Sequence, residues 1–262
     1  MTNSIVDRTD FNGRVAIVLG SGLGDFADNL SKKTIIPYGD IPGYPQPTVE
    51  GHAGELVFGE LAGIPVLGAK GRFHFYEGYD FNTVTLPIQL FHKLGVNALI
   101  VTNAAGSTRL SMPPGSLMAL TGHMDGTFRN GPEDPKIVTG DPFHSPQLLT
   151  LAQSAFKKSV VDLAEGIYCW TMGPGYETPD EIKYFRNLGA DAVGMSTVPE
   201  LQAAAKFGLP AIGISCITNF ASGITDQPLS HQEVMDTAEA VKEKFTRSII
   251  ELIINIGREL NL

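Results

Sequence analysis

Ile64-Pro65-Val66-Leu67-Gly68-Ala69-Lys70-Gly71-Arg72-Phe73-His74-Phe75-Tyr76-Glu77-Gly78-Tyr79 is an apolar run that ends abruptly in chemistry. Residues 64–69 read as a strand buried on both faces, as strands covered by helices on either side do. Directly after it come a guanidinium, an imidazole, a phenol and a carboxylate, at Arg72, His74, Tyr76 and Glu77. At strand spacing, residues i, i+2 and i+4 share a face, which places Arg72, His74 and Tyr76 on one wall. A fixed positive charge, a titratable donor and a hydroxyl on one wall suit an oxyanion beside a polar organic group. Arginine in particular offers a planar fork of donors to phosphate or carboxylate. The plainer alternative is a solvated loop held by an Arg72–Glu77 ion pair.

Apolar runs of the same kind recur along the chain, bounded by glycine, at 15–19, 98–102, 116–121, 167–172, 192–195 and 211–217. Helix punctuation lies between them. Ser145-Pro146 supplies a cap and a proline at the first helical position. Thr178-Pro179-Asp180-Glu181 is a capping box, and Gly189 ends the segment it opens. Val198-Pro199-Glu200 opens another helix, closed by Gly208. Ser230-His231-Gln232-Glu233 is a second capping box, heading a long amphipathic stripe of Val234, Ala238, Val241, Phe245, Ile249 and Leu252. Strand–helix alternation predicts an α/β fold: a single domain over 1–262 with a mixed, mostly parallel central β-sheet flanked by helices. Residues 123–144, rich in glycine, proline and charge, are expected to form a long irregular loop.

Composition narrows the function classes. The chain has 262 residues, enough for one large domain with a sizeable core. Its net charge of −9 and the lack of any basic run argue against nucleic acid as a partner. Attraction of an anion must then be built locally. Cys169 and Cys216 lie in apolar runs and are expected to be small buried side chains without a disulfide. The six histidines have no HExxH-type spacing, so no metal site is expected. The N-terminal region, with Asp7, Arg8 and Asp10, lacks an apolar signal core, and residues 249–256 are interrupted by Glu251 and Asn255. A cytoplasmic protein with no membrane partner is expected.

The remaining polar motifs stand at predicted strand ends. Gly20-Ser21-Gly22-Leu23-Gly24 follows the first strand directly. The dinucleotide fingerprint places its third glycine one residue later, where Asp25 stands, and no Gly-Lys-Ser/Thr follows for a P-loop. Two readings stay open: a bare strand-to-helix turn, or a turn offering backbone N–H groups and the Ser21 hydroxyl to a small anion. His52, within Gly51-His52-Ala53-Gly54, either touches that anion or is a loop residue. Thr102-Asn103-Ala104-Ala105-Gly106 brings small residues to a strand end, where ligands bind in open α/β sheets. Tyr176-Glu177 offers a stacking ring and an acceptor for N–H donors, unless Glu177 only favours the following helix terminus. Gly194-Met195-Ser196-Thr197 adds a hydroxyl. Asn219, after Thr218, can both donate to and accept from a base edge.

Taken together, the segments around Ser21, His52, Arg72, Ala104 and Glu177, with Val193-Gly194-Met195-Ser196-Thr197-Val198-Pro199-Glu200 and Ile217-Thr218-Asn219, resemble purine nucleoside phosphorylases of the homotrimeric type. They run in family order from about residue 15 to about residue 235. The resemblance implies phosphate at Ser21, His52, Arg72, His74, the Ala104 backbone and Ser196. It implies a purine between Tyr176, Val193 and Met195, with Glu177 and Asn219 on its edge, and His74, Glu177 and Asn219 as the catalytic groups. It implies ribose near Tyr76, Met195 and His231, with Phe143 supplied by the adjacent subunit of a homotrimer. The reaction so implied is phosphorolysis of 6-oxopurine nucleosides, with inorganic phosphate as co-substrate and no metal or organic cofactor. Gly122-His123-Met124-Asp125 and Trp170 depart from the family pattern. Rival readings are a methylthioadenosine phosphorylase, which typically carries aspartate where Asn219 stands, a non-catalytic nucleoside-binding module, and a dinucleotide-dependent oxidoreductase.

Overall fold

Val15–Leu19 forms the first strand, β1, and its five residues are buried with strict alternation. Val15, Ile17 and Leu19 join one apolar cluster, Ala16 and Val18 the other. A strand that contacts two cores must lie between two helical layers. Full burial of a side chain the size of Val15, Ile17, Val18 or Leu19 contributes about 1.5–3 kcal/mol. The computed structural model describes residues 5, 8–9, 11, 14–49, 51–226 and 229–260, and of His231 the backbone alone.

The remaining strands are β2 (Ser31–Pro37), β3 (Glu55–Leu61), β4 (Ile64–Lys70), β5 (Ala98–Ser107), β6 (Leu117–Asp125), β7 (Val138–Thr139), β8 (Leu163–Trp170), β9 (Ala192–Gly194) and β10 (Ala211–Phe220). The helices are α1 (Phe81–Val84), α2 (Leu86–Lys93), α3 (Pro146–Lys158), α4 (Pro179–Asn187), α5 (Val198–Lys206) and α6 (His231–Glu259). Ile88 and Phe91 of α2 and Leu201 of α5 pack in one core; Leu148 of α3 and Phe245, Ile249 and Leu252 of α6 pack in the other.

β4, β1, β5 and β10 pair in parallel, as do β6, β8 and β9. Antiparallel pairing builds the β2–β3–β4 edge and joins β10 to β6, β5 to β9 and β7 to β6. Because β5 pairs with both β10 and β9, the strands β5, β10, β6, β8 and β9 close into a ring. Closure removes their free edges. A bulge between Ile217 and Asn219 breaks the β10 register beside the site. Bulges bend a strand and re-aim its side chains.

The predicted caps are present. Ser145, Thr178 and Ser230 each accept a backbone N–H of the helix they open. Both cysteines are free and buried. The expected loop at 123–144 begins later, at Gly126: residues 123–125 complete β6, pairing with Tyr168, Cys169 and Trp170 of β8.

Candidate active site

Arg72 leaves the sheet two residues after β4 and is 1% exposed. Gly71 just before it has φ +124°, and a Cβ there would stand 2.9 Å from the His52 Cβ. Only glycine permits that approach. Arg72 Nη1 donates to Ser196 Oγ at 3.0 Å, and Nε donates to Glu200 Oε1 at 3.2 Å. Among the described residues Nη2 has no acceptor. Glu200 therefore fixes the guanidinium without using all of its donors.

Ser196 and Glu200 reach one guanidinium because the chain reverses sharply between them. Val198 N donates to Ser196 O at 2.9 Å across Thr197, whose φ is +74° and ψ −51°. This is a γ-turn of the rare positive-φ kind, and for a β-branched residue it costs on the order of 1–3 kcal/mol. Thr197 is held there by Asn103, whose Nδ2 donates to Thr197 Oγ1 at 2.9 Å.

His74 and Tyr76 complete this wall, by a route other than strand alternation. β4 ends at Lys70, and Phe75–Glu77 is a turn of 3₁₀ helix. The turn stacks the His74 and Tyr76 rings, with centroids 4.6 Å apart and planes at 17°. Glu77 does not pair with Arg72. Its Oε1 lies 3.0 Å from His74 Nδ1 and accepts His74 N, while Oε2 accepts the Thr48 N–H and hydroxyl. Burial works to raise the Glu77 pKa, but these donors outweigh it and hold the carboxyl at about 2. The His74 pKa is lowered, chiefly by burial, against the opposing pull of Glu77. His52 lies beside His74, with centroids 5.5 Å apart, and its Nε2 is 3.4 Å from Ser21 Oγ.

The opposite wall is built for a planar ligand. Val193, Met195 and Tyr176 supply apolar surface, and Tyr176 is 43% exposed. Gly173, at φ +71°, lets Met195 and Tyr76 close over it; a Cβ there would stand 2.6 Å from Met195 Sδ. Asn219 Nδ2 donates to Phe220 O at 2.9 Å, and a carbonyl can only accept, so the amide orientation is determined. Its Oδ1 accepts the Thr218 hydroxyl at 2.9 Å, which leaves the second Nδ2 hydrogen for a ligand. Glu177 accepts a hydrogen bond from the Thr171 hydroxyl. Burial raises the Glu177 pKa, and that bond opposes the rise.

A cavity of about 330 Å³ joins the two walls. It brings together Ser21, His52, Arg72, His74, Tyr76, Ala104, Tyr176, Glu177, Val193, Met195, Ser196 and Asn219. Phe143 is not among its lining; it is partly buried and sets its ring edge against His123, with centroids 5.5 Å apart. His231 begins α6, and its side chain lies outside the described residues. Sequence reading passed over Glu200 and Thr171 as site residues. Both stand beside quoted motifs, but a buried partner for each becomes visible only once β4, β8 and α5 converge. Among the described residues no group of three or more His, Cys, Asp or Glu could hold a metal ion, and no helix is long and apolar enough to cross a membrane.

Residues 14–254 match the model of the Phosphorylase superfamily. The chain is 45% identical over 252 residues to purine nucleoside phosphorylase 1 of Geobacillus stearothermophilus, covering 94% of this chain and 92% of the relative. It is 44% identical over 247 residues to purine nucleoside phosphorylase 1 of Bacillus subtilis, covering 92% and 91%. Its fold matches the crystal structure of Schistosoma mansoni purine nucleoside phosphorylase in complex with inosine, with a TM-score of 0.85, 32% identity and coverage of 96% and 93%.

Proposed function

The chain belongs to the phosphorylase superfamily, and from that membership we propose that it catalyses the reversible phosphorolysis of 6-oxopurine nucleosides such as inosine and guanosine. Phosphate attacks C1′ of the nucleoside, the C1′–N9 bond breaks, and ribose 1-phosphate and the free base leave. The observation that carries this reading is one cavity holding a buried anion wall, Arg72 with Ser196 and His74, opposite a base edge of Glu177 and Asn219.

The difficulty of the reaction is charge separation. The sugar becomes cationic and the base anionic. Phosphate held by Arg72, Ser196, Ser21, His52 and the Ala104 backbone offsets the first charge. Glu77, ionised at neutral pH, is an acceptor only and assigns the Nδ1–H tautomer to His74. His74 Nε2 is then free to accept from a protonated phosphate oxygen. The spare Nδ2 hydrogen of Asn219 meets O6 or N7 of the departing base, both acceptors in a 6-oxopurine. Preorganised donors of this kind contribute roughly 3–4 kcal/mol each. Glu177, when ionised, accepts the N1–H that 6-oxopurines carry and adenine lacks. Asparagine at 219 favours this reading over a methylthioadenosine phosphorylase.

Tyr76 and Met195 border the ribose space; His231, which the resemblance adds, has its side chain outside the described residues. A homotrimer, in which Phe143 of one subunit covers the ribose of the next, accounts for a partly exposed aromatic that lies outside its own cavity. Refolding Phe143→Ala and Arg72→Ala chains together should give more activity than the average of the two refolded separately. Equality in verified mixed trimers refutes the shared site. The central test is inosine with and without phosphate. Hypoxanthine and ribose 1-phosphate should form only with phosphate; free ribose at an unchanged rate without it would make the protein a hydrolase.

A further inference from the structure

Thr171 follows the last residue of β8, is 5% exposed, and joins both sides of the base pocket. Its backbone N–H donates to Gly194 O at 2.8 Å, between Val193 and Met195 on the apolar wall. Its hydroxyl donates to Glu177 Oε1 and lies 3.3 Å from the same Gly194 carbonyl. One hydroxyl proton faces two acceptors and serves one at a time. The carboxylate wins while it is charged, because charge-assisted bonds are the stronger.

We propose that Thr171 sets base specificity: its hydroxyl occupies one carboxylate oxygen of Glu177 and leaves the other as the single acceptor for N1–H of a 6-oxopurine. The proposal rests on the reading of Glu177 as the residue that meets the base edge. The hydroxyl also stabilises the ionised carboxylate where its surroundings oppose ionisation. Burial pushes the Glu177 pKa up, and Glu181 at the start of α4 adds like charge. Cys169 of β8 and Tyr176 face Glu177 as neutral groups, their own pKa values raised by burial. Asp125 of β6 lies beyond Cys169, and Glu233 of α6 acts on Tyr176. No cation among these groups stabilises Glu177, so the Thr171 hydroxyl opposes protonation alongside the residue's own backbone N–H. Were Glu177 to take a proton on its base-facing oxygen, the Thr171 hydroxyl could go on donating to Oε1 or turn to Gly194 O. A protonated Glu177 is a donor, and a donor suits the bare N1 of a 6-aminopurine.

The experiment measures kcat/KM for inosine and for adenosine from pH 5 to pH 8 at fixed phosphate. Their ratio at each pH cancels the titration of phosphate and His74, common to both substrates. Thr171→Val keeps the shape of the side chain and removes the hydroxyl, with Thr171→Ala as its substitute if valine does not fold. The inosine-to-adenosine ratio should fall by about tenfold or more, as loss of a bond to a charged group implies. The pH at which the ratio collapses on acidification should move upward. Thr171→Ser should restore both. A Val variant with the wild-type ratio at every pH overturns the proposal, as does a Ser variant that fails to restore it. Glu177→Gln separates the two levels: if it leaves the ratio intact, the reading of Glu177 itself falls; if it destroys the ratio while Thr171→Val does not, only the role of Thr171 falls.

Discussion

Two pairs of histidines lie in this molecule, and they do different things with the same side chain. His52 and His74 have ring centroids 5.5 Å apart in the cavity wall, next to Arg72 and the Glu77 carboxylate. His123 and His144 have centroids 5.0 Å apart, with Nδ1 of one 2.8 Å from Nε2 of the other. The second pair is 2% and 5% exposed, with Phe143 against His123; its rings bond to each other and, at His144, to the Leu120 backbone, and among the described residues to no carboxylate. Burial lowers the pKa of His74, and of His123 and His144, to about 3 and about 4 for the latter two. Burial with a displaced pKa thus marks His74 as it marks His123 and His144, and cannot by itself point to chemistry. What separates them is an ionised partner and an opening: Glu77 fixes the His74 tautomer, and the cavity gives its other nitrogen something to bind.

The largest effect that could break this contrast is at His74. On the proposed reading His74 is a preorganised group facing the phosphate, and His74→Ala should lower kcat/KM for phosphate by about 10²–10³. The unfolding midpoint should change little, because Glu77 keeps the Thr48 donors. A variant that unfolds readily but, while folded, uses phosphate normally would make His74 a structural residue like His123. The converse variant, His144→Ala, leaves His123 Nδ1 without its partner in a buried site. It should cost about 1–3 kcal/mol of stability, measured by urea denaturation. Phosphate KM should stay within a few-fold of wild type; any loss should fall on nucleoside KM, through Phe143 packed on His123. A large phosphate defect in a folded His144→Ala protein would erase the distinction between the pairs.

Acid sharpens it further. The folded-state values of His123 and His144 lie below the ordinary 6.5, so both rings are neutral in the native protein and charged in the acid-unfolded chain. Their stabilisation is complete above pH 6.5 and is lost as pH falls toward about 4 and about 3. Each ring adds a slope of about 1.4 kcal/mol per pH unit within its window. His144→Gln should therefore lose less stability than wild type between pH 6.5 and pH 4.5. Equal losses would mean that the pair takes up protons in the folded state.

Much of the cavity was legible in the sequence, for a local reason. Glycine and hydroxyl motifs at strand ends announce themselves by composition, and parallel strands in one sheet bring those ends together. Ser21 after β1 and Asn219 next to the end of β10 follow from that rule alone, whereas Ala104, expected past a strand end at 102, lies inside β5, which runs on to Ser107. The strand-spacing argument for Arg72, His74 and Tyr76 reached the right wall by the wrong geometry, since all three lie beyond β4 and Tyr76 sits in a 3₁₀ turn that His74 caps. Closure of β5, β10, β6, β8 and β9 into a ring was not legible, because pairing of β5 with β9 joins residues 106 and 193 and no local pattern encodes it. Glu200 was hidden for the same reason: its partner is 128 residues away. The β2 and β3 strands were passed over, β2 because lysines and exposed positions blur its alternation on an outer edge.

The smallest expected effect tests how far the anion wall depends on each member. Ser21 Oγ stands 3.4 Å from His52 Nε2, near the outer limit of a hydrogen bond. The protein without ligand therefore gains little from that contact. Ser21→Ala should leave the unfolding midpoint unchanged within error. With phosphate bound, a single neutral hydroxyl contributes about 0.5–1.5 kcal/mol, so phosphate KM should rise about two- to tenfold with kcat nearly constant. Arg72, charged and tied to both Ser196 and Glu200, should exceed this by at least an order of magnitude in kcat/KM. Double substitution of Ser21 and His52 shows whether they act as one unit. If they share one phosphate oxygen, the double variant should lose less than the sum of the single losses. Strict additivity would place the two side chains on separate oxygens. An Ser21→Ala loss as large as that at His74 would show that the hydroxyl, and not the carboxylate-held imidazole, organises the anion wall.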